Sequence, residues 1–303
     1  MSGKQATMSE DTTEEPWTVL RMLNWTTDFF RDRGIENPRL NAELLLGEVL
    51  DLDRIMLYAE FERNVTEKER REYRELVRKR ASRRPLQYLL GEADFYGRSF
   101  EVEPSVMVPR TDTEVLVEVC LEKIPEGDEE WRLADICCGS GVVGITLAAE
   151  RPGLQVSAVD SQPDALSLAR RNAERHDVAE RITFLEGSLA EPLPDDSGCD
   201  LLASNPPYVP TDRIDTLQPE VSEHEPKVAL DGGPDGLDVV RELVPGAAQV
   251  LRPGGWMALE IGEEQAEDVL DIVRQSGAFR ADDLETAEDA AGHRRVIAVP
   301  KED

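Results

Sequence analysis

Asp135-Ile136-Cys137-Cys138-Gly139-Ser140-Gly141-Val142-Val143-Gly144 decides the fold. The segment closes an apolar run, Leu133 to Ile136, and opens a helical pattern that continues to about Glu150. Glycines let the backbone turn sharply here and approach a ligand closely, as strand-to-helix loops do in nucleotide-binding sheets. Further out, Val156 to Val159, Ile182 to Leu185, Leu201 to Ser204 and Met257 to Ile261 read as strands, most of them separated by helical patterns. This alternation predicts an α/β, Rossmann-like domain whose parallel sheet is covered on both faces. Asp160 ends the second strand, about twenty residues beyond the glycine loop, where a carboxylate can accept hydrogen bonds from both hydroxyls of a ribose.

Upstream the periodicity changes. From Trp17 to about Arg84 apolar residues recur at helical spacing, as in Val19, Leu20 and Leu23 and again in Leu40, Leu44 and Leu45. Thr66 followed by Glu69 forms a capping box for a helix carrying Tyr73, Leu76 and Val77. The expected organisation is a disordered polar tail over 1–15, a small all-helical domain over 16–84, a connector over 85–108 and the α/β domain over 109–303. Phe95, Tyr96 and Phe100 around Gly97 predict a β-hairpin within the connector. Thr111 to Glu114 reads as a second capping box, with Arg110 just before it either lining a pocket or bracing the connector.

The net charge of -29, from 34 basic and 63 acidic side chains, argues against a nucleic-acid-binding surface. Only six of the basic residues are lysines. An acidic, lysine-poor surface suits a salt-loaded cytoplasm, so the acidity is read as halophilic adaptation and says little about the substrate. No stretch approaches the roughly 20 apolar residues of a membrane span, and the first residues lack the features of a signal peptide. A cytoplasmic protein with no membrane partner is expected. The four cysteines show no CxxC spacing and the three histidines do not cluster with them, which predicts reduced thiols and no metal.

The glycine loop alone would equally suit a nicotinamide dinucleotide. Asp135, four residues before the first glycine, instead suits a ligand carrying an ammonium group, whereas a pyrophosphate would be repelled. The second discriminating feature is Ser204-Asn205-Pro206-Pro207-Tyr208, at the carboxyl end of the fourth strand. An amide or aromatic amine is a poor nucleophile because its nitrogen lone pair is delocalised. An enzyme that methylates one must aim that nitrogen, and two fixed acceptors can hold its two hydrogens. The Asn205 side-chain oxygen and the Pro206 carbonyl supply them, on a loop stiffened by Pro206 and Pro207. Tyr208 offers a flat face to the planar amide. The implied cofactor is S-adenosyl-L-methionine, and catalysis by Asn205, Pro206 and Tyr208 is largely positioning.

Taken with further blocks, the chain from Leu20 to Val299 resembles the PrmC/HemK family of release-factor glutamine methyltransferases. Those blocks are Pro85 to Gly91, Pro109-Arg110-Thr111-Asp112-Thr113-Glu114, Glu225-Pro226 with Ala229 to Gly233, Asp235-Gly236-Leu237, Leu259 to Gly262 with Gln265, and Asp289 to Gly292 with Arg295-Val296. The resemblance implies a seven-stranded S-adenosylmethionine-dependent methyltransferase domain preceded by a helical substrate-recognition domain. It further implies methylation of the glutamine in the Gly-Gly-Gln motif of peptide chain release factors, in support of translation termination. By position, Cys137, Cys138, Gly139, Ser140, Gly141, Asp160, Leu189 and Asn205 would contact the cofactor, and Asn205, Pro206, Pro207 and Tyr208 the substrate glutamine. Cys137 and Cys138 replace a common Gly-Thr pair, and Ser188 and Leu189 stand where an aspartate and an aromatic are common. Other readings are an enzyme acting on a ribosomal-protein glutamine, a nucleic-acid amine methyltransferase and a non-catalytic cofactor-binding adaptor. The Pro109 to Glu114 block, the lack of a basic groove and the intact loops count against them in turn. Nine basic residues between Lys68 and Arg84, against three glutamates, form either a solvated helix face or a docking surface for an acidic release factor.

Overall fold

The computed structural model describes residues 16–127, 129–194 and 198–303. The tail expected over 1–15 lies outside them. The chain divides into two compact units between Leu89 and Leu90.

The first unit is helical: α1 (Val19–Arg31), α2 (Pro38–Leu50), α3 (Arg54–Ala59) and α4 (Glu67–Ala81), with α5 (Leu86–Leu90) leading the chain out. Helix α4 begins where the sequence places it. The Thr66 side chain accepts from the Glu69 N–H while the Glu69 carboxylate accepts from the Thr66 N–H, so two otherwise orphaned donors are satisfied. Leu23, Phe30, Leu45, Leu46, Leu57 and Tyr73 fill the core. Leu20 faces solvent instead, because α1 buries the series Val19, Met22, Leu23, Thr26, Thr27 and Phe30. Two members of the basic cluster are structural: buried Arg80 donates to Asn41 Oδ1 at 2.7 Å, and Arg83 donates to the carbonyls of Arg33 and Gly34.

The second unit opens with an antiparallel hairpin of β1 (Glu92–Phe95) and β2 (Arg98–Glu101). Tyr96 and Gly97 both have positive φ, +49° and +71°, matching the two central positions of a tight hairpin turn. There follow α6 (Glu114–Lys123), β3 (Trp131–Ile136), α7 (Val142–Glu150), β4 (Leu154–Asp160), α8 (Pro163–Arg175), β5 (Ile182–Glu186), β6 (Cys199–Ser204), α9 (Pro219–Ser222), α10 (Asp238–Val250), β7 (Leu251–Glu260), α11 (Ala266–Ser276), β8 (Glu285–Glu288) and β9 (Arg294–Pro300). The seven-stranded sheet has the order β5-β4-β3-β6-β7-β9-β8, with β9 antiparallel to both of its neighbours. One face packs on α6, α7, α8 and the hairpin aromatics Phe95 and Phe100, and the other on α10 and α11.

Three readings are corrected. The second capping box does not form: Thr111–Thr113 is a 3₁₀ turn, and the Glu114 carboxylate accepts from the Tyr96 N–H at 2.7 Å. The strand assigned to Met257 to Ile261 begins earlier, at Leu251, and stops at Glu260. Strands β8 and β9 add to the five that the apolar runs predict: Glu285–Glu288 is a polar edge with no apolar run, whereas β9 buries Val296 to Val299.

Within the first unit Glu43 is buried, with 1% of its side chain exposed, and accepts from Arg39 Nε at 2.7 Å, Arg54 Nη2 at 2.8 Å and the Tyr58 hydroxyl. Burial pushes its acidity down, but the Tyr58, Arg39 and Arg54 hydrogen bonds outweigh burial and leave its pKa below the ordinary carboxylate value. Its stabilising contribution is therefore present above that ordinary value and lost as pH falls through the lowered one. Glu43→Ala is expected to cost about 2–3 kcal/mol, the low end for a broken buried pair because both arginines keep solvent contact. Denaturant unfolding followed by circular dichroism should show this deficit at neutral pH and its shrinkage in acid.

Candidate active site

The winding of the sheet reverses between β3 and β6, parallel neighbours whose following helices, α7 and α10, pack on opposite faces. Loops leaving the carboxyl ends of these two strands must diverge, and the crevice between them is the usual ligand position in such sheets. A cavity of about 600 Å³ lies there, inside the range of small-molecule sites.

The loop after β3 forms one wall. Cys137, Gly139 and Gly141 all have positive φ, so Cys137 occupies a backbone conformation that a glycine adopts without strain. Asp135 sits beneath the loop at 1% exposure and accepts from the Gly144 N–H at 2.9 Å. A Cβ at Gly144 would lie 2.8 Å from that same carboxylate oxygen, so only glycine admits the contact. Burial pushes the Asp135 pKa up to about 7; the Gly144 N–H pulls it down and nearby Asp160 pushes it further up. Asp160, ending β4, accepts from the N–H groups of Gly139 and Gln162, both at 2.9 Å. Burial raises its pKa too, against these backbone donors.

The loop after β6 forms the facing wall. Asn205 Nδ2 donates to Thr113 Oγ1 at 3.1 Å, and among the described residues neither Asn205 Oδ1 nor the Pro206 carbonyl accepts a hydrogen bond. Tyr208 donates its hydroxyl to Glu260 Oε1 at 3.2 Å. Gln265 fastens this loop, donating to the Tyr208 carbonyl at 3.0 Å while accepting from the Gly262 N–H at 2.9 Å. Arg110 pairs with buried Glu225 at 2.6 Å, which ties the segment before α6 to the loop preceding Lys227. Burial raises the Glu225 pKa and Arg110 opposes it.

Of the residues singled out in the sequence, Asp135, Cys137, Cys138, Gly139, Ser140, Asp160, Leu189, Asn205 and Pro207 line this one cavity. Gly141, Pro206 and Tyr208 do not: Gly141 seats α7, since a Cβ there would lie 2.7 Å from Ile145 Cδ1, and the Tyr208 hydroxyl turns to Glu260. The structure adds Glu260 and the lining residues Thr113, Val106 and Met107. Thr113 and Glu260 fall inside the quoted motif blocks, which was the available signal; Val106 and Met107 carry none.

Whether the cavity fits S-adenosylmethionine can be judged from its donor set. Asp135, Asp160, Asp231, Asp238 and Glu242 line it against a single ammonium, Lys227. Such a wall favours a cationic ligand and disfavours a pyrophosphate. Asp160 at the end of β4 suits a ribose diol, and Val159 and Leu189 offer apolar surface to a base. The residues present fit the cofactor.

Comparison with known proteins agrees with this arrangement. A family model described as PrmC N-terminal domain matches residues 21–91, and one described as methyltransferase small domain matches 111–219. The release factor glutamine methyltransferase of Geobacter sulfurreducens is 47% identical over 287 residues, covering 94% of this chain and 98% of that one. The proteins of the same name from Rhodopirellula baltica and Moorella thermoacetica are 37% and 43% identical, covering 97% and 87% of this chain and 100% and 92% of theirs. A helical unit followed by a methyltransferase sheet, aligned with such relatives nearly from end to end, places the chain in the release factor glutamine methyltransferase family.

Proposed function

We propose that this chain transfers a methyl group from S-adenosylmethionine to the side-chain amide nitrogen of the glutamine in the Gly-Gly-Gln motif of peptide chain release factors, and so supports translation termination. The observation that carries the reading is the pairing of Asn205 Nδ2 with Thr113, which leaves Asn205 Oδ1 as an uncommitted acceptor at the cavity wall, next in the chain to a Pro206 carbonyl that accepts no hydrogen bond among the described residues. S-adenosylmethionine supplies the methyl on a positively charged sulfur. Asn205 Oδ1 and the Pro206 carbonyl take the two amide hydrogens, turning the nitrogen toward that methyl, and the loop held by Gln265 keeps them in place. Fixed orientation replaces a search by two solvated partners, and fixed dipoles need no reorganisation as charge shifts. As the N–C bond forms the methyl's bond to sulfur breaks, leaving a neutral thioether, and the nitrogen's displaced proton passes to solvent.

Incubation with S-adenosylmethionine and intact release factor should add a single methyl to the Gly-Gly-Gln peptide, read by mass spectrometry. No added methyl on that peptide would refute the assignment. Asn205→Ala should lower turnover by roughly 10² to 10³ while leaving cofactor affinity within a few-fold, as loss of an orienting acceptor does.

Asp135 is proposed to hold the ammonium of the cofactor. Because the free carboxyl titrates near 7, it is half neutral at that pH, and only its ionised form attracts a cation. Cofactor affinity should therefore rise as pH increases from about 6 to about 8, and Asp135→Asn should flatten that rise. Calorimetric titration across that range checks it; an equal slope in the variant would remove Asp135 from the site.

The helical unit is proposed to recognise the release factor. Arg71, Arg74, Arg78 and Lys79 are exposed along α4, and of these only Arg78 has an acidic partner, Glu75, among the described residues. Changing Arg71, Arg74 and Lys79 to Glu should raise the Michaelis constant for intact release factor several-fold without altering cofactor binding, with the effect reduced at high salt. Arg83 is a poor choice for this test, since its bonds to residues 33 and 34 hold the unit together. An unchanged constant would return the cluster to an ordinary solvated face.

A further inference from the structure

The orientation of the Asn205 amide is not a property of Asn205. Its oxygen and nitrogen are nearly the same size, and a half-turn about the last side-chain bond exchanges acceptor for donor. In the exchanged state Asn205 would present N–H to a substrate N–H. What selects one state must lie behind the residue, where Asn205 meets Thr113 at 3.1 Å. A hydroxyl both donates and accepts, so Thr113 alone leaves the choice open. The choice passes to whatever takes the Thr113 proton.

The Thr113 hydroxyl faces the carboxyl of Glu260, the last residue of β7, which is 1% exposed. Glu260 Oε1 accepts from Tyr208, while Oε2 is buried without a hydrogen-bond partner. An ionised carboxylate only accepts. Were the Thr113 proton to go to the unpartnered Oε2, the Thr113 lone pairs would turn to Asn205, and Nδ2 would be the atom that meets them.

We propose that Glu260 and Thr113 are positioning residues: a buried carboxylate that, through one hydroxyl, fixes the Asn205 amide with its oxygen toward the substrate and, through a second hydroxyl, fixes Tyr208. The role rests on the reading of Asn205 as the acceptor for the substrate amide. The surroundings of Glu260 are consistent with control by its ionisation. Burial pushes its pKa up to about 7, Thr113 and Tyr208 pull it down, Asp112 pushes it up and Arg295 pulls it down. The relay is complete in the ionised form, so turnover at saturating cofactor should rise with pH through about 7.

Thr113→Val removes the relay at nearly constant volume, Thr113→Ser keeps it, and Glu260→Gln keeps shape while removing the titration. Thr113→Val is expected to lower turnover about 10- to 100-fold, with the Michaelis constant changing less and cofactor affinity unchanged. Thr113→Ser should return turnover to within a few-fold of wild type. Glu260→Gln should lose the rise through about pH 7 even where some turnover survives. In isotope-labelled protein without substrate, the Asn205 side-chain amide protons should exchange slowly in wild type and Thr113→Ser and rapidly in Thr113→Val. This last measurement needs no methyl transfer, so it separates failure of the relay from failure of the proposed activity. Turnover in Thr113→Val within twofold of wild type, or equal exchange of the Asn205 protons in all three proteins, would overturn the proposal.

Discussion

The parallel pairing of β3 with β6 at the point where the sheet changes winding direction is the constraint on which the site depends. A strand followed by a helix on one face, beside a strand whose next long helix lies on the other, cannot have its crevice filled by either connection. The loops after β3 and β6 are thereby forced to face each other across open space. Cavity, glycine loop and the Asn205 segment all occupy that space. Gln265 at the start of α11 fastens one loop, and Asn172 of α8 fastens the other by donating to the Ser140 carbonyl at 2.9 Å.

Carboxylates placed where burial opposes their charge set the chemistry of this crevice. Asp135, Asp160, Glu225 and Glu260 all have raised pKa values, with burial as the first cause in each. They differ in what opposes burial: backbone N–H groups for Asp135 and Asp160, a guanidinium for Glu225, hydroxyls for Glu260. Backbone donors leave a carboxylate able to act on a ligand, and the cavity accordingly carries Asp135 and Asp160 on its wall. A guanidinium pair closes a structural joint, as Arg110 and Glu225 do. Hydroxyl donors pass hydrogen-bond direction onward, so Glu260 bears on groups it does not touch. Glu43 in the helical unit is the contrasting case, in which Tyr58 and two arginines outweigh burial and the carboxylate is held ionised.

Much of this was legible in the residues themselves. The strand-to-helix glycine loop, the alternation that follows it and the capping box at Thr66 are local signals, since each depends on residues within a few positions of one another. The hairpin at Tyr96-Gly97 is local in the same sense, because positive φ at two adjacent residues is a short-range requirement. Local reading failed where a distant group competed. Glu114 was free to cap Thr111, but the Tyr96 N–H, 18 positions earlier, claimed its carboxylate. Leu20 fits an apolar stripe by spacing, yet α1 turns Val19 and Leu23 inward and leaves Leu20 in water.

Fold class, the strand carrying each motif and the residue types available for chemistry are all readable along the chain, because periodicity, turn geometry and motif spacing are properties of neighbouring residues. Which of those residues share a cavity, and which carboxylate stands behind them, follows from contacts between distant segments. Thr113, Asn205 and Glu260 are separated by 92 and 55 positions in the chain, and no periodic pattern links a residue before α6 to the ends of β6 and β7. Their meeting follows from the sheet order, which places β7 beside β6 and brings α6 against the same edge. Pairing of strands distant in sequence is a long-range choice made by burial of whole faces, and the direction in which Asn205 presents its amide is settled there.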